Sequence, residues 1–379
     1  MKVIHLCTYY IGNKLYEKLF FEISKNEISQ AIYIPIRDKE LVNRNFLSLH
    51  NIEFYYDLIL KKYDRYFYKG KVKKQKKRVE MKVSDLQLTN VIHAHTLFSD
   101  GGTAYLLKKK YGINYVINVR STDINTFYKY AIHHRDFSHE VLLNASNIIF
   151  ISPAYKEKTF SLLPDKVVSQ IKNKTHIIPN GIDNKWFTTE IVEVKKDFMK
   201  GLHLLFTGSL DKNKNLITVL KLVQKLVREG QDVYLNVAGE GPFKKKLMSY
   251  ATNMGVYDRV KFHGKVSTEK LIELVDQSDI FILPSYKETF GISYIECMSR
   301  GVPVIYTRNE GIDGYFPEGS VGYSTDPNDI NEMNININNI LDDYERISQE
   351  CIAASRKFNW KDISRIYINM YKRIGDLKS

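Results

Sequence analysis

Residues 279–307, DIFILPSYKETFGISYIECMSRGVPVIYT, spell a buried strand, a polar turn, a helix closed by Gly301 and another strand. The helix is expected to begin near Gly291. The backbone amides of Phe290, Gly291 and Ile292 would then point out of a helix N-terminus at the carboxyl end of a strand, where open α/β sheets bind ligands. Gly291, with no side chain, lets a phosphate come close. Ile292, Ile295, Glu296 and Ser299 share one stripe of this helix, which turns Glu296 toward the interior or a cleft. A carboxylate so placed must find partners, because an unpaired buried charge is costly. Glu288 stands eight residues earlier, in the turn.

Working outward, short β-branched and aromatic runs alternate with longer helix-like stretches, the pattern of parallel sheets covered by helices. Strands are expected at 2–7, 31–36, 91–95, 115–119, 147–152 and 176–179, then at 202–208, 233–239, 260–264, 280–285 and 302–306. Two Rossmann-like, doubly wound domains follow, 1–185 and 200–357, with the break between PNGID (179–183) and Gly201. The spacing of Leu216, Val219, Leu220, Val223, Leu226 and Val227 predicts an amphipathic helix stopped by Gly230. Trp360, Ile363, Ile366, Tyr367, Met370 and Tyr371 predict a terminal helix with an aromatic face between Phe358 and Ile374, within a last segment 358–379.

A chain of 379 residues is long for one core and comfortable for two. The opening MKVIHLCTYYIGN reads as a strand rather than a signal peptide, and no apolar run reaches the length of a membrane span. Cys7, Cys297 and Cys351 form no paired spacing, so neither a disulfide framework nor a structural zinc site is indicated, which fits a reducing cytoplasm. The net charge of +13 is wholly N-terminal: residues 1–180 hold 29 basic and 16 acidic residues, and the remainder 27 of each. Ten basic residues and one acid fall in KKYDRYFYKGKVKKQKKR, 61–78, interleaved with Tyr63, Tyr66, Phe67 and Tyr68. Such a segment suits anionic lipid headgroups, and equally a solvated basic loop. No nucleic-acid module accompanies it, so nucleic acid is not expected as a partner.

The segment from Pro284 to Ile305 resembles the family 4 glycosyltransferases, retaining enzymes of the GT-B fold whose signature is two glutamates with seven residues between them, here Glu288 and Glu296. Other landmarks fall in the family's order: HAH with a following GG at 93–102, PNGID at 179–183, FTGSLDKNKN at 206–215, AGEGP at 238–242 and FHGKV at 262–266. The resemblance implies two Rossmann-like domains facing across a cleft, the terminal helix crossing back to the first, and a nucleotide-sugar donor bound by the second. It implies that Glu288 contacts donor-sugar hydroxyls, that Phe290, Gly291 and Ile292 offer amides to sugar and diphosphate, and that Glu296 holds the ribose. Lys214 matches the lysine that neutralises the diphosphate, a role suited to a flexible ammonium. Gly208, Ser209, Gly239, Gly241, Gly264 and Val266 complete the expected donor site. Gly12, His95, Gly101, Gly102, Arg120 and Asp123 are expected on the acceptor side, His95 and Arg120 near the reaction centre.

The chain also departs from the family. Ser209 follows Gly208 where an arginine is usual, so one diphosphate cation is missing unless another basic residue reaches in. Arg120 stands where many members carry histidine, and TYYIGNKLYEKL has one glycine where two are common. AGEGP lacks the third glycine of a dinucleotide fingerprint. No Asp-x-Asp tripeptide occurs, so no metal or other cofactor is expected. The resulting expectation is a metal-independent hexosyltransferase of surface polysaccharide synthesis, acting on a glycan or lipid-linked acceptor in the cytoplasm or at the inner face of the cytoplasmic membrane. A non-catalytic GT-B protein binding nucleotide sugar or glycan, and a nucleotide-sugar epimerase, are the alternatives.

Overall fold

The computed structural model describes every residue except Asn13, Tyr66, 189–197, 199–200 and 377–379. Much of the segment expected between the domains, and Tyr66 of the basic run, therefore lie outside the described residues. The chain divides into two compact units.

The first unit contains a parallel sheet of seven strands: β1 (Lys2–Leu6), β2 (Ser29–Ile36), β3 (Ile52–Leu58), β4 (Val91–Ala94), β5 (Asn114–Asn118), β6 (Asn147–Phe150) and β7 (Thr175–Ile177), in the order β3-β2-β1-β4-β5-β6-β7. Reversal of direction at β1 and β4 makes it doubly wound. The strand β3 was not expected. It forms one edge of the sheet, and its sequence IEFYYDL leaves Glu53 and Leu58 exposed, so it has no continuous apolar run to betray it. The core of this unit takes in the helix Trp360–Asp376, whose Ile363, Tyr367, Tyr371 and Ile374 join Val3, Phe20, Ile32 and Val116. Each such side chain, fully buried, contributes about 1.5–3 kcal/mol of transfer free energy. Ile366, expected on this inner face, is 46% exposed, and Ile368 and Ser364 are buried in its stead.

The basic run is not a loop. A helix spans Tyr68–Lys82, and its inner side uses a good part of the charge. Arg78 grips Asp57 of β3 with two hydrogen bonds of 2.9 and 2.6 Å, Lys74 pairs with Asp64 at 2.9 Å, Lys76 pairs with Glu80 at 2.8 Å, and the buried Lys71 donates to Ser99 Oγ at 2.6 Å. Lys69, Lys73 and Lys77 remain exposed, together with Tyr63 and Phe67 just before the helix.

The second unit contains a parallel sheet of six strands: β8 (Leu202–Thr207), β9 (Val233–Ala238), β10 (Val260–Gly264), β11 (Ile280–Leu283), β12 (Val304–Thr307) and β13 (Gly322–Thr325), in the order β10-β9-β8-β11-β12-β13. The four-residue GYST of β13 is too short and polar to be read as a strand; it is recruited by pairing along β12. The helix Leu216–Arg228 buries the expected stripe and also Thr218 and Leu222, leaving Val227 half-buried, because it is covered on two sides. Gly230 follows with φ +82°, the left-handed stop that glycine adopts at little cost. Among the described residues no helix is long and apolar enough to cross a membrane.

Candidate active site

In the second unit the strands β8, β9 and β10 end in Thr207-Gly208, Ala238-Gly239 and Gly264, and these ends are knitted together by backbone alone. Gly208 N–H donates to the Ala238 carbonyl at 3.0 Å and Gly239 N–H to the Gly264 carbonyl at 2.8 Å. Gly239 has φ +155°, and a Cβ there would stand 1.8 Å from the Gly208 carbonyl oxygen; one on Gly241 would stand 2.4 Å from that of Leu210. Only glycine permits these approaches. Beside them lies a hollow of about 320 Å³ lined by Thr207, Gly208, Ser209, Ala238, Gly239, Glu240, Lys265, Val266 and Leu271. Of the residues expected to bind the donor, Gly208, Ser209, Gly239 and Val266 thus line one hollow, with Gly241 and Gly264 in its supporting backbone.

Lys214 is carried by the loop after β8. Its N–H donates to Asp211 Oδ1 at 3.1 Å, and Asn215, at φ +59°, anchors the loop by donating to the carbonyls of Pro284 and Pro327 at 3.2 and 2.6 Å. The lysine stem passes over Gly208, close enough that a Cβ on that glycine would lie 3.6 Å from Lys214 Cε. Its ammonium meets Glu288 Oε2 at 2.5 Å. Tyr286 N–H to the Asn213 carbonyl, 2.8 Å, and Asn213 Nδ2 to the Lys287 carbonyl, 2.9 Å, stitch the two loops. The basic and acidic side chains, 74 residues apart in sequence, are held in register by main-chain bonds.

After Glu288 the chain turns into a helix, Ile292–Met298, with Gly291 as its N-cap at φ +76°. A Cβ on Gly291 would stand 2.3 Å from the Tyr294 ring, whose hydroxyl donates to the Leu283 carbonyl at 2.6 Å. The amides of Phe290, Gly291 and Ile292 lie at the start of this helix, where intrahelical partners are lacking. Phe290 offers backbone only, since its ring is buried against Tyr315 and Phe358. Glu296 is half-buried, not enclosed, one turn further on.

The residues expected on the acceptor side all belong to the first unit, but most serve its interior. His95 is fully buried. Its Nε2 lies 3.1 Å from His5 Nδ1, and its ring stacks on that of His93 at 3.9 Å. Burial holds all three imidazoles below the usual histidine range, His93 at about 3, so they are neutral. The three could be taken for a metal site. However, both nitrogens of His93 are engaged, by the Tyr371 hydroxyl at 2.6 Å and Asn118 Oδ1 at 3.0 Å. Gly101 and Gly102 are packing glycines: a Cβ would meet Ile117 Cδ1 at 2.4 Å and the Tyr68 hydroxyl at 2.6 Å. Asp123 is buried and accepts the amides of Leu97, Phe98 and Arg120 at 2.9, 3.2 and 2.9 Å. Burial pushes its carboxyl up to about 6, and that of Asp100 up to about 7. Arg120 is half-buried with its guanidinium 5.7 Å from the Tyr16 ring centre, and Gly12 is exposed. His95, Gly101, Gly102 and Asp123 are thus buried within the first unit, while Gly12 and Arg120 keep some exposure.

Two residues were missed. Lys265 lines the hollow beside Ser209 and is exposed, and Glu310 holds the Glu288 backbone. Glu310 belongs to no spacing pattern that could have flagged it, whereas Lys265 stands inside FHGKV, 262–266, between two residues expected at the donor site.

Residues 188–358 match the family described as glycosyl transferases group 1. An uncharacterized glycosyltransferase of Methanocaldococcus jannaschii is 24% identical over 292 residues, covering 76% of each chain. The N-acetyl-alpha-D-glucosaminyl L-malate synthase of Bacillus anthracis is 27% identical over 259 residues, 64% of this chain and 62% of that protein. Among solved structures, Anabaena HepE in complex with UDP superposes with a TM-score of 0.72 at 17% identity, over 98% of this chain and 100% of that one, so both units have the GT-B architecture. The second half of the chain is a glycosyl transferases group 1 domain, and the protein is a glycosyltransferase.

Proposed function

We propose that the protein transfers a sugar from a nucleoside diphosphate sugar to a glycan or lipid-linked acceptor in surface polysaccharide synthesis, retaining the anomeric configuration and using no metal. The observation that carries this reading is the Lys214–Glu288 contact beside the glycine-walled hollow. A nucleotide seated in the hollow would place its diphosphate toward Lys214 and its sugar toward Glu288. The leaving diphosphate gains negative charge, which Lys214 and the amides at 290–292 would stabilise where it develops. Lys265 supplies a second cation on the wall where Ser209 supplies none. Glu296 would hold the ribose hydroxyls. The Anabaena protein with UDP bound favours a uridine nucleotide as the first candidate. Gly12 and Arg120 are the acceptor-side residues that keep some exposure. An anionic membrane surface is the proposed docking site for the first unit, supported by exposed Lys69, Lys73 and Lys77 next to Tyr63 and Phe67, which are 56% and 68% exposed.

The test is thermal stability of the wild type and Glu296→Ala with UDP, GDP, ADP and their sugar conjugates. A ligand at about a hundred times its dissociation constant stabilises the fold by roughly 2.7 kcal/mol. One nucleotide should shift the wild type and not the variant. Absence of any shift would overturn the donor reading, and a sugar nucleotide interconverted without acceptor would make the protein an epimerase.

A further inference from the structure

Glu288 is gripped through its backbone by a segment 22 residues downstream. Its N–H donates to Glu310 Oε2 at 2.8 Å, and Gly311 N–H donates back to the Glu288 carbonyl at 2.8 Å. These two bonds close a clasp between the turn before the Ile292–Met298 helix and the turn after β12. The second turn is built to present Glu310: the flanking Asn309 and Gly311 both lie in the left-handed region, at φ +61° and +60°. Asn309 N–H donates to Asp313 Oδ2 at 2.6 Å, Asp313 N–H donates to the Glu310 carbonyl at 3.1 Å, and the Thr307 hydroxyl ties the end of β12 to the Ser285 carbonyl at 2.8 Å. A Cβ on Gly311 would lie 3.1 Å from Glu288 Cγ and 3.3 Å from the Phe290 carbonyl oxygen, so the bare glycine lets the turn rest against the Glu288 side chain.

A serine or asparagine could close the same turn without bringing a second negative charge beside Glu288. A carboxylate makes the stronger bond to the amide, because the acceptor is ionised. We infer that Glu310 is a positioning residue, which fixes the peptide plane of Glu288 and thereby the direction in which the Glu288 carboxylate leaves the chain toward Lys214 and the donor sugar. The inference rests on the reading of Glu288 proposed above. A displacement near 1 Å at such a group costs roughly a hundredfold in rate.

Glu310→Ala and Glu310→Gln test it, with hydrogen exchange of the Glu288 amide, UDP affinity, and transfer from UDP-glucose or whichever conjugate the stability panel selects. In Glu310→Ala the Glu288 amide should exchange at least about tenfold faster. The turnover number should fall roughly 10- to 100-fold, while the affinity for the free nucleotide stays within about twofold. Glutamine keeps an oxygen for the amide, so Glu310→Gln should recover most of the rate. Unchanged exchange at Glu288, unchanged turnover in Glu310→Ala, a parallel loss of nucleotide affinity, or a glutamine variant as poor as alanine would each overturn the inference. Failure of the wild type to bind any sugar nucleotide would refute the donor reading, and the exchange measurement would still report on the clasp.

Discussion

Glu288→Gln should weaken sugar transfer and strengthen the binding of a nucleoside diphosphate that carries no sugar. Lys214 is paired with Glu288 at 2.5 Å, with the two side chains 22% and 13% exposed. On the proposed donor reading, a diphosphate would draw the ammonium away. Two unit charges 4 Å apart attract by about 4 kcal/mol at an effective dielectric constant of 20, but desolvation and lost side-chain freedom leave a net pair energy of about 1 kcal/mol. Glutamine keeps the shape and removes the charge, so that energy no longer opposes the nucleotide and the dissociation constant should fall roughly fivefold. Transfer should move the other way, because the proposed charged hydrogen bond from Glu288 to the sugar would be lost, worth about 1.5–3 kcal/mol or roughly 10- to 150-fold. Calorimetric titration with UDP, or the diphosphate the stability panel selects, reads the first quantity and steady-state transfer the second. Weaker diphosphate binding in the variant would refute the argument that Lys214 changes partner.

Gly239→Ala should lower stability by about 1–3 kcal/mol through overpacking and abolish nucleotide-induced stabilisation, because its Cβ would meet the Gly208 carbonyl oxygen; thermal melts with and without nucleotide read both. His5, His93 and His95 are neutral in the fold while the unfolded chain takes up protons below about 6.5, so their contribution is complete above that pH and is lost as pH falls toward the His93 value of about 3. Asp100 and Asp123 act oppositely, being raised to about 7 and about 6, and favour the protonated fold as pH falls. Melting curves between pH 4 and 7 should therefore show a shallower acid loss in His93→Asn and a steeper one in Asp123→Asn (window of about 4–7 set by these shifts). Flotation with anionic vesicles should be lost when Lys69, Lys73 and Lys77 are neutralised and little changed by neutralising Lys74, which is already paired with Asp64; equal flotation with neutral vesicles would argue against a charge-driven surface.

How much could be read in advance depends on whether a residue's neighbours lie along the chain or across it. The strands with continuous apolar runs, and the helix that starts after Gly291, follow from local pattern, and they appear where that pattern puts them. Strand β13 has no such run, and its existence depends on β12 lying alongside. The same distinction divides the site. Gly208, Gly239, Lys214, Lys265 and Glu288 sit in motifs whose spacing is visible, whereas Glu310 matters because of what the fold brings beside it. Gly101, Gly102 and His95 illustrate the converse: their motif is visible, yet that they pack against Ile117, the Tyr68 hydroxyl and the His93 ring is seen only in the fold. Charge is legible only as a sum, so the run at 61–78 reads as free until Asp57, Asp64 and Glu80 are seen to occupy part of it.

The helix Trp360–Asp376 completes the core of a unit whose other members end at Asn180, so the order of synthesis and the order of folding cannot coincide. A ribosome adding about 5–20 residues per second needs roughly 10–40 s to travel from one to the other. Throughout that interval the nascent first sheet exposes the apolar ground that Ile363, Tyr367, Tyr371 and Ile374 will cover, next to Val3, Phe20 and Ile32. The second unit, continuous apart from Ser152–Tyr155, can close first although it is made later. A chain interrupted before Trp360 would leave its older half with an open seam, a target for chaperones and proteases, so synthesis itself selects for intact copies of the last helix.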